Sequence, residues 1–251
     1  MKIRYILLLG LCVMSFYISD KLLLYVEGFS PIMKSIKELN YEPVLPVDAI
    51  IDDNTIIPGI KGKKINERES YLKMNEFGAF NINFLQYDYQ KPNISLEDNL
   101  DKIIIGTTKK TEISIITQSE KISSYLNEKK VIHSRVISKS IDLNDIEYIN
   151  GAKLTNDYNE INRLLNKYKK NKNICIYHIN DLNLCLDNKS YIIKPTNYIS
   201  NKNLVTELNK LVKGGFVMLE DNLNNNQIDA ILNQIKKDNL TIVKLSEIIK
   251  E

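Results

Sequence analysis

Residues 213–222, KGGFVMLEDN, constrain the fold of this chain more than any other segment. A double glycine follows a helical pattern, an apolar run comes next, and the acidic pair Glu220 and Asp221 ends that run. This order predicts a helix end, a buried strand and a polar strand end. In α/β proteins, ligands and catalytic groups collect at the carboxyl ends of parallel strands. The segment therefore predicts an α/β layout and the place where a site should lie.

The same alternation of strand and helix patterns continues through residues 107–251. Apolar runs predict strands at residues 113–116, 131–137, 174–177, 191–193, 216–219 and 241–245. Helical spacing occurs between them, with Ser119 and Asp157 as predicted N-caps and a helix over residues 204–212 that stops at Gly214. Repeated βα units of this length indicate parallel strands with helices outside, in an open sheet or a partial barrel.

The first 26 residues have the pattern of a membrane helix. Lys2 and Arg4 precede an apolar run over residues 5–18, which is interrupted at residues 20–21 and then continues. An uncleaved signal-anchor, a cleaved signal peptide and a buried core helix are the three interpretations. No small-x-small cleavage site follows, which favours the anchor. The basic flank should stay cytoplasmic and place the rest of the chain outside.

In residues 27–106, prolines and glycines interrupt the pattern and mark turns and helix ends. Residues 27–57 contain three prolines and are interpreted as a stalk. Residues 58–106 predict a small α+β module, in which Asn66 caps a helix that Gly78 ends. The predicted organisation is therefore an anchor (1–26), a stalk (27–57), a small module (58–106) and an α/β domain (107–251).

Charge excludes one class of partner. The net charge is +3; residues 1–26 hold three basic residues and one acidic, which leaves 31 basic against 30 acidic residues in the remainder. A balance so close to neutrality lacks the basic footprint of a nucleic-acid-binding protein.

Two sets of residues resemble a known family. The segments 215–221 (GFVMLED) and 242–247 (IVKLSE) resemble the end of a polysaccharide deacetylase domain, which is a distorted (β/α) barrel. The amino-terminal part resembles a membrane-anchored subgroup of deacetylase-like proteins from low-GC Gram-positive bacteria. The residues that carry this second resemblance are 16–21, 56–59, Ser70 with Tyr71 and Met74, Gly78 with Phe80 and Asn81, and Pro92 with Ile94 and Ser95.

The resemblance implies a metal-assisted deacetylation whose residues are missing here. The family holds a divalent metal with an Asp and two His, uses a second Asp as base and a late His as acid. Gln118 and Ser119 stand where the Asp pair should be, residues 151–156 offer no ligand, and Glu220 replaces the acid His. We therefore expect no catalytic, metal or cofactor residues, with Glu220 and Asp221 as weak candidates only.

Other polar residues have plainer interpretations. Cys175, His178 and Cys185 give a poor match to structural zinc spacing. A disulfide between the two cysteines requires an oxidising compartment, and the sequence leaves their pairing open. His133 lies in or beside a strand. The pair Asp52 and Asp53 precedes a Pro-Gly turn and should be exposed.

The expected protein is a membrane-anchored, extracytoplasmic deacetylase-like protein without catalytic activity. It would bind cell-wall glycan or an envelope protein, and no nucleic acid. The alternative is a divergent metal-dependent deacetylase or hydrolase of cell-wall glycan that uses Glu220, Asp221 and perhaps His178. An accessory subunit of an envelope assembly is a more remote interpretation.

Overall fold

The computed structural model describes residues 2–139, 146–170 and 172–251, apart from the side chains of residues 2–12 and 24. In this part of the chain the helices are α1 (Lys2–Glu27), α2 (Pro31–Lys37), α3 (Glu67–Asn75), α4 (Glu120–Glu128), α5 (Thr155–Lys167), α6 (Leu182–Asp187), α7 (Leu204–Leu208), α8 (Asn225–Lys237) and α9 (Leu245–Ile248). The strands are β1 (Ile50–Asp52), β2 (Thr55–Ile57), β3 (Gly62–Ile65), β4 (Tyr87–Gln90), β5 (Ile103–Ile104), β6 (Glu112–Thr117), β7 (Ser134–Ile137), β8 (Glu147–Asn150), β9 (Ile174–Ile176), β10 (Tyr191–Ile193), β11 (Asn197–Ile199), β12 (Phe216–Leu219) and β13 (Thr241–Ile242).

The chain forms two compact units. The amino-terminal unit contains residues 1–45 and 62–90, and the α/β unit contains residues 46–61 and 91–251. The predicted boundaries at 57/58 and 106/107 fall inside the α/β unit, because β2 and β5 pair with each other and β5 pairs with β10. Part of the predicted stalk and part of the predicted small module therefore belong to the α/β unit.

The amino-terminal unit combines α1, α2 and α3 with the antiparallel pair β3–β4. Asn66 caps α3 as predicted, since its Oδ1 accepts the Glu69 N–H at 2.9 Å. Arg68 of α3 lies 3.3 Å from the Asp20 carboxylate and 3.6 Å from that of Glu27, which is buried. Asp20 and Glu27 are seven residues apart and share a face of α1. Asp20, which interrupts the apolar run of the sequence, thus has an ionic partner inside this unit.

The predicted anchor coincides with α1, which covers 26 residues. Lys2, Arg4 and Cys12 have side chains outside the described residues. Within the part of the chain that the structure describes, none of the helices combines the length and the apolar content that a bilayer crossing requires. The membrane anchor stays a prediction.

The α/β unit contains two sheets whose long-range pairings are parallel. One has the order β11-β12-β6-β7-β8, with β13 also on β6, and the other has the order β1-β2-β5-β10-β9. The hairpin β1–β2 is the antiparallel pair of the second sheet. Parallel strands need a crossover between them, and helices supply most of these connections. The predicted α/β class with parallel strands is confirmed.

Alternate residues of the strands face two different apolar layers. In β6 and β12, Ile116 and Phe216 join an inner cluster, whereas Ile115 and Val217 pack outward against α4 and α8. Burial on both faces explains why these strands are continuous apolar runs rather than alternating ones. The inner cluster takes residues from both sheets, among them Ile104, Ile116, Val136, Ile176, Ile193 and Phe216.

The double glycine brings β12 close to its neighbours. Gly214 has a φ of +74°, and a Cβ there would lie 2.6 Å from the Thr107 carbonyl oxygen. Its carbonyl accepts the Thr107 N–H at 2.8 Å, and its own N–H donates to the Glu112 carbonyl at 3.0 Å. A Cβ on Gly215 would overlap the Thr196 hydroxyl. Both positions therefore require glycine, for backbone conformation at the first and for space at both.

Several element boundaries differ from the predictions. The strand predicted at 131–137 begins at Ser134, and the helix predicted over 204–212 ends at Leu208. The strand predicted at 241–245 covers two residues, because α9 begins at Leu245. The Asp157 cap is wrong: α5 begins at Thr155, which places Asp157 in its first turn. The sequence patterns gave no prediction of β8, β11 or α6.

We expect Gly214→Ala to destabilise the α/β unit by about 3 kcal/mol or more, since it adds both a positive-φ penalty and an overlap with Thr107. Gly78→Ala is the matched control. Gly78 has a φ of +69° with no atom within 4 Å of the added Cβ, so it should cost only about 1 kcal/mol. Thermal unfolding of the full-length variants measures both. Equal losses of stability in the two variants would show that the close approach of residue 214 to Thr107 does not require glycine.

Candidate functional site

A cleft of ≈ 740 Å³ opens at the carboxyl ends of β6, β7, β8 and β9 in the α/β unit. Gln118 follows β6, Ile137 ends β7, Gly151 follows β8, and His178 follows β9. The cleft therefore lies at the edge where the sequence predicts a site. Its described lining consists of Gln118, Arg135, Val136, Ile137, Ser138, Lys139, Gly151, Ala152, Lys153, Leu154, Asp157, His178 and Ile179.

Asn180 joins β8 to β9 at the cleft, where the two sheets meet. Its Nδ2 donates to the carbonyls of Asn150 (3.0 Å) and Ala152 (3.1 Å), and its Oδ1 accepts the Ile176 N–H at 2.8 Å. The side chain is buried. No ladder bonds join β8 to β9 among the described strands, so this amide takes the place of backbone pairing. The position of the β9 loop, and with it His178, depends on Asn180.

A disulfide joins Cys175 and Cys185, whose Cα atoms are 6.0 Å apart. Both cysteines are buried, and the cross-linked loop contains His178, Ile179 and Asn180. The sequence left this pairing open. Because disulfide sulfurs are not thiolates, the pair offers no ligand to a metal in this state, and the Cys175, His178 and Cys185 zinc cluster does not form.

Among the described residues that line the cleft, the charged side chains are mainly cationic. Arg135 donates from Nη2 to the Glu120 carboxylate at 3.2 Å, and its side chain is only 13% exposed. Lys139 and Lys153 are exposed, and neither forms an ion pair with another described residue. Asp157 is the acidic residue among the described lining. The sequence analysis does not single out Arg135 or Lys139, since only the register of β7 with its neighbours shows that they reach the cleft.

Glu220 and Asp221 lie outside the described lining of the cleft. Leu219 pairs with Thr117, so Glu220 and Gln118 end adjacent strands. Both acidic side chains are exposed, and Glu220 Oε2 accepts from Asn222 Nδ2 at 3.3 Å. The helix that follows is capped by Asn224 in a capping box with Gln227, rather than by residues 221–222.

The two histidines of the chain occupy different environments. His133 is buried before β7, at the amino end of that strand. Its Nδ1 lies 3.0 Å from the Val131 carbonyl, which can only accept, so Nδ1 carries the proton and Nε2 accepts from the Ser123 hydroxyl at 2.8 Å. Burial lowers the pKa of His133. His178 is exposed in the cleft, with its ring 3.9 Å from that of Tyr177.

The acidic pair Asp52 and Asp53 forms the tip of the β1–β2 hairpin. Asp53 has a φ of 46°, and the Thr55 hydroxyl donates to the Asp52 carbonyl at 2.8 Å. Both side chains are exposed, as the sequence predicts.

The residues of the cleft do not fit a divalent metal. Gln118 and Ser119 supply no carboxylate, and the Ser119 hydroxyl accepts the Ile122 N–H as the N-cap of α4. Of the two histidines only His178 reaches the cleft. Among the described residues, no group of three or more His, Cys, Asp or Glu side chains is placed to hold a metal ion. We derive no catalytic step through a metal.

Comparison with solved structures finds CE4 family pseudoenzymes. The wild-type pseudoenzyme from Bacillus anthracis has a TM-score of 0.58 and 15% identity, over 88% of this chain and 96% of its own. The chain has the polysaccharide deacetylase fold. A mutant of that protein, described as having restored enzymatic activity, has a TM-score of 0.57 and 16% identity, over 88% and 99% of the two chains. No family model and no curated protein sequence matches this chain.

The comparison confirms the predicted resemblance at the level of the fold. The cleft of this chain lies at the ends of its strands, where Gln118 and Gly151 are found. The membrane-anchored subgroup inferred from the amino-terminal residues stays a prediction.

We expect Asn180→Ala to lower the free energy of unfolding by about 3 kcal/mol, because it leaves a buried N–H and two buried carbonyls without their side-chain partner. Asn183→Ala, on the exposed face of α6, is the matched control and should change stability by less than about 0.5 kcal/mol. Chemical denaturation of the full-length protein measures both. Similar values for the two variants would contradict a bridging role for Asn180.

The buried His133 predicts a pH dependence of stability. Its pKa is lower in the folded than in the unfolded chain, so the unfolded state binds more protons below about pH 6.5, and stability falls as the pH is lowered further. His133→Gln should flatten this fall, which one group can steepen by at most about 1.4 kcal/mol per pH unit. Denaturation midpoints between pH 7 and 5 test this, and an unaltered slope in His133→Gln would refute it.

Proposed function

We propose that this protein is an envelope protein that binds glycan without catalysing its deacetylation. The observation that carries the proposal is the cleft itself. A polysaccharide deacetylase fold keeps an open cleft of ≈ 740 Å³ at its strand ends, while Gln118 and Ser119 supply neither metal ligand nor base. The family's chemistry needs two histidine ligands and a third histidine as acid, and the whole chain has two histidines.

The surface of the cleft suits a saccharide. Leu154 is 68% exposed at the cleft, and His178 belongs to the same described lining. Sugar rings present apolar C–H faces bounded by hydroxyl groups, and pockets that take them combine apolar side chains with a few hydrogen-bonding groups. Gln118 and Ser138 supply such polar groups here.

The proposed location is outside the cell membrane, with α1 as the anchor. The Cys175–Cys185 disulfide supports an oxidising compartment, because such bonds are rare in the cytosol. The basic flank of the amino-terminal apolar run supports the same orientation. The finer architecture that we propose is a partial (β/α) barrel, for which the shared inner cluster of the two sheets is the support.

A divergent hydrolase is the second candidate, and one feature favours it. Glu220 and Gln118 end adjacent strands, which would place a carboxylate near a substrate in the cleft. This candidate predicts zinc-dependent or Glu220-dependent release of acetate or of sugar fragments. Glu220→Gln should then abolish turnover, whereas Glu247→Gln, on α9, should leave it intact.

The test uses the full-length protein in detergent with a tetramer of N-acetylglucosamine. We expect measurable binding by calorimetry and no release of acetate, with or without added zinc. Leu154→Ala should weaken binding about fivefold, in proportion to the apolar contact it removes. Val205→Ala is the matched control, since Val205 is 72% exposed on α7, and its affinity should equal that of wild type. Zinc-dependent acetate release would overturn the inactive assignment, and equal weakening by both variants would remove the cleft from the proposal.

A further inference from the structure

We propose that the cleft takes an acidic glycan and holds it through carboxylate or phosphate groups on the saccharide chain. This inference rests on the proposed glycan-binding function and specifies its ligand. The family's activity calls for a cleft that holds a metal cation with one Asp and two His and keeps a second Asp as base. In this chain the described lining carries Arg135, Lys139 and Lys153 against a single carboxylate, that of Asp157.

The three cations come from two neighbouring strand ends. Arg135 belongs to β7 and Lys139 follows it, while Lys153 follows β8, which pairs with β7 in parallel register. Their arrival at one cleft is therefore fixed by the sheet and not by a run of basic residues in the sequence. Clefts lined by one sign of charge focus the field and concentrate ligands of the opposite sign.

Arg135 is held in place before any ligand arrives. Its side chain is 13% exposed, and its ion pair with Glu120 uses Nη2 at 3.2 Å. The Arg135 Nε is buried and has no hydrogen-bond partner among the described residues. Glu120, by contrast, is 79% exposed. A guanidinium presents several donors in a fixed plane that matches carboxylate and phosphate oxygens, so an anion can share Arg135 with Glu120.

Lys139 and Lys153 supply the solvent-exposed part of the site. Both are exposed and form no ion pair with any described residue. Exposed lysines gain little from a single partner in water, and the effect of two acting on one ligand falls with salt. The interaction should therefore show a clear dependence on ionic strength.

The charges of the described lining disfavour a divalent metal ion and favour an acidic saccharide in the same cleft. A divalent ion bound near Gln118 would meet three cations without the Asp and two His ligands, and without the second Asp, that the resemblance implies for the active family. Replacement of those carboxylates by neutral residues removes the repulsion that an acidic saccharide would meet. The same substitutions that remove the ligands thus favour the anion.

The experiment compares three probes on the full-length protein in detergent at about 50 mM salt, where screening is weak. The probes are a neutral N-acetylglucosamine tetramer, a peptidoglycan tetrasaccharide that bears lactyl carboxylates, and an N-acetylglucosamine tetramer that bears phosphate groups. We expect at least one acidic probe to bind about tenfold more tightly than the neutral tetramer. Which acidic probe binds distinguishes the carboxylate from the phosphate source.

Two pairs of substitutions test whether the lysines of the cleft cause the preference for the acidic probe. Lys139→Gln with Lys153→Gln should remove the preference for the acidic probe and leave binding of the neutral tetramer within twofold of wild type. The control pair, Lys121→Gln with Lys237→Gln, changes the net charge equally on the exposed surfaces of α4 and α8 and should keep the preference. Equal loss in the control pair would show a general attraction to a basic protein and overturn the inference.

The remaining outcomes separate this inference from the proposed function. Equal binding of the neutral and acidic probes by wild type refutes the acidic ligand and leaves glycan binding intact. Failure to bind any of the three probes refutes both.

Discussion

Four residue pairs join β12 to β6 in parallel register, from Phe216 with Ser114 to Leu219 with Thr117. β6 also pairs with β7 and β13, so most of its backbone groups are used by neighbours that are distant in sequence. Gly214 and Gly215 let the incoming chain approach this strand without overlap. The inner cluster, the outer helices α4 and α8, and the position of Gln118 all follow from that pairing.

The cleft depends on a different kind of link. The two sheets are linked between β8 and β9 by one buried amide, that of Asn180. The Cys175–Cys185 disulfide closes the loop that carries this amide and ties β9 to α6. The strand ends at the cleft are therefore held by a side-chain link between the sheets and by a covalent link on the β9 side. A site so constructed can change its charged residues while the strands beneath it keep their places.

The sequence predicts those parts of the fold that depend on neighbouring residues in the chain, namely apolar strands and helix caps. The strands at β6 and β12 were evident because both of their faces are apolar, and Ser119 and Asn66 were evident as caps. β8 was not, because its buried polar residues find partners far away: Glu147 accepts from the Ser134 hydroxyl and the Ser246 N–H. The sequence predicts a site at the carboxyl ends of the strands, but its candidates Glu220 and Asp221 lie outside the described lining of the cleft. It does not predict Arg135 and Lys139, since only the register of β7 with its neighbours shows where they lie.

The disulfide makes the covalent structure of the protein depend on the redox conditions under which it is produced. Cys175 and Cys185 form the bond, and the third cysteine, Cys12, lies in α1. A chain made in a reducing cytosol carries free thiols at the buried positions 175 and 185, and it lacks the cross-link that encloses His178. The conditions under which the polypeptide is produced therefore decide which of two covalent species is obtained. Preparations from reducing and oxidising hosts are, in chemical terms, different proteins with the same sequence.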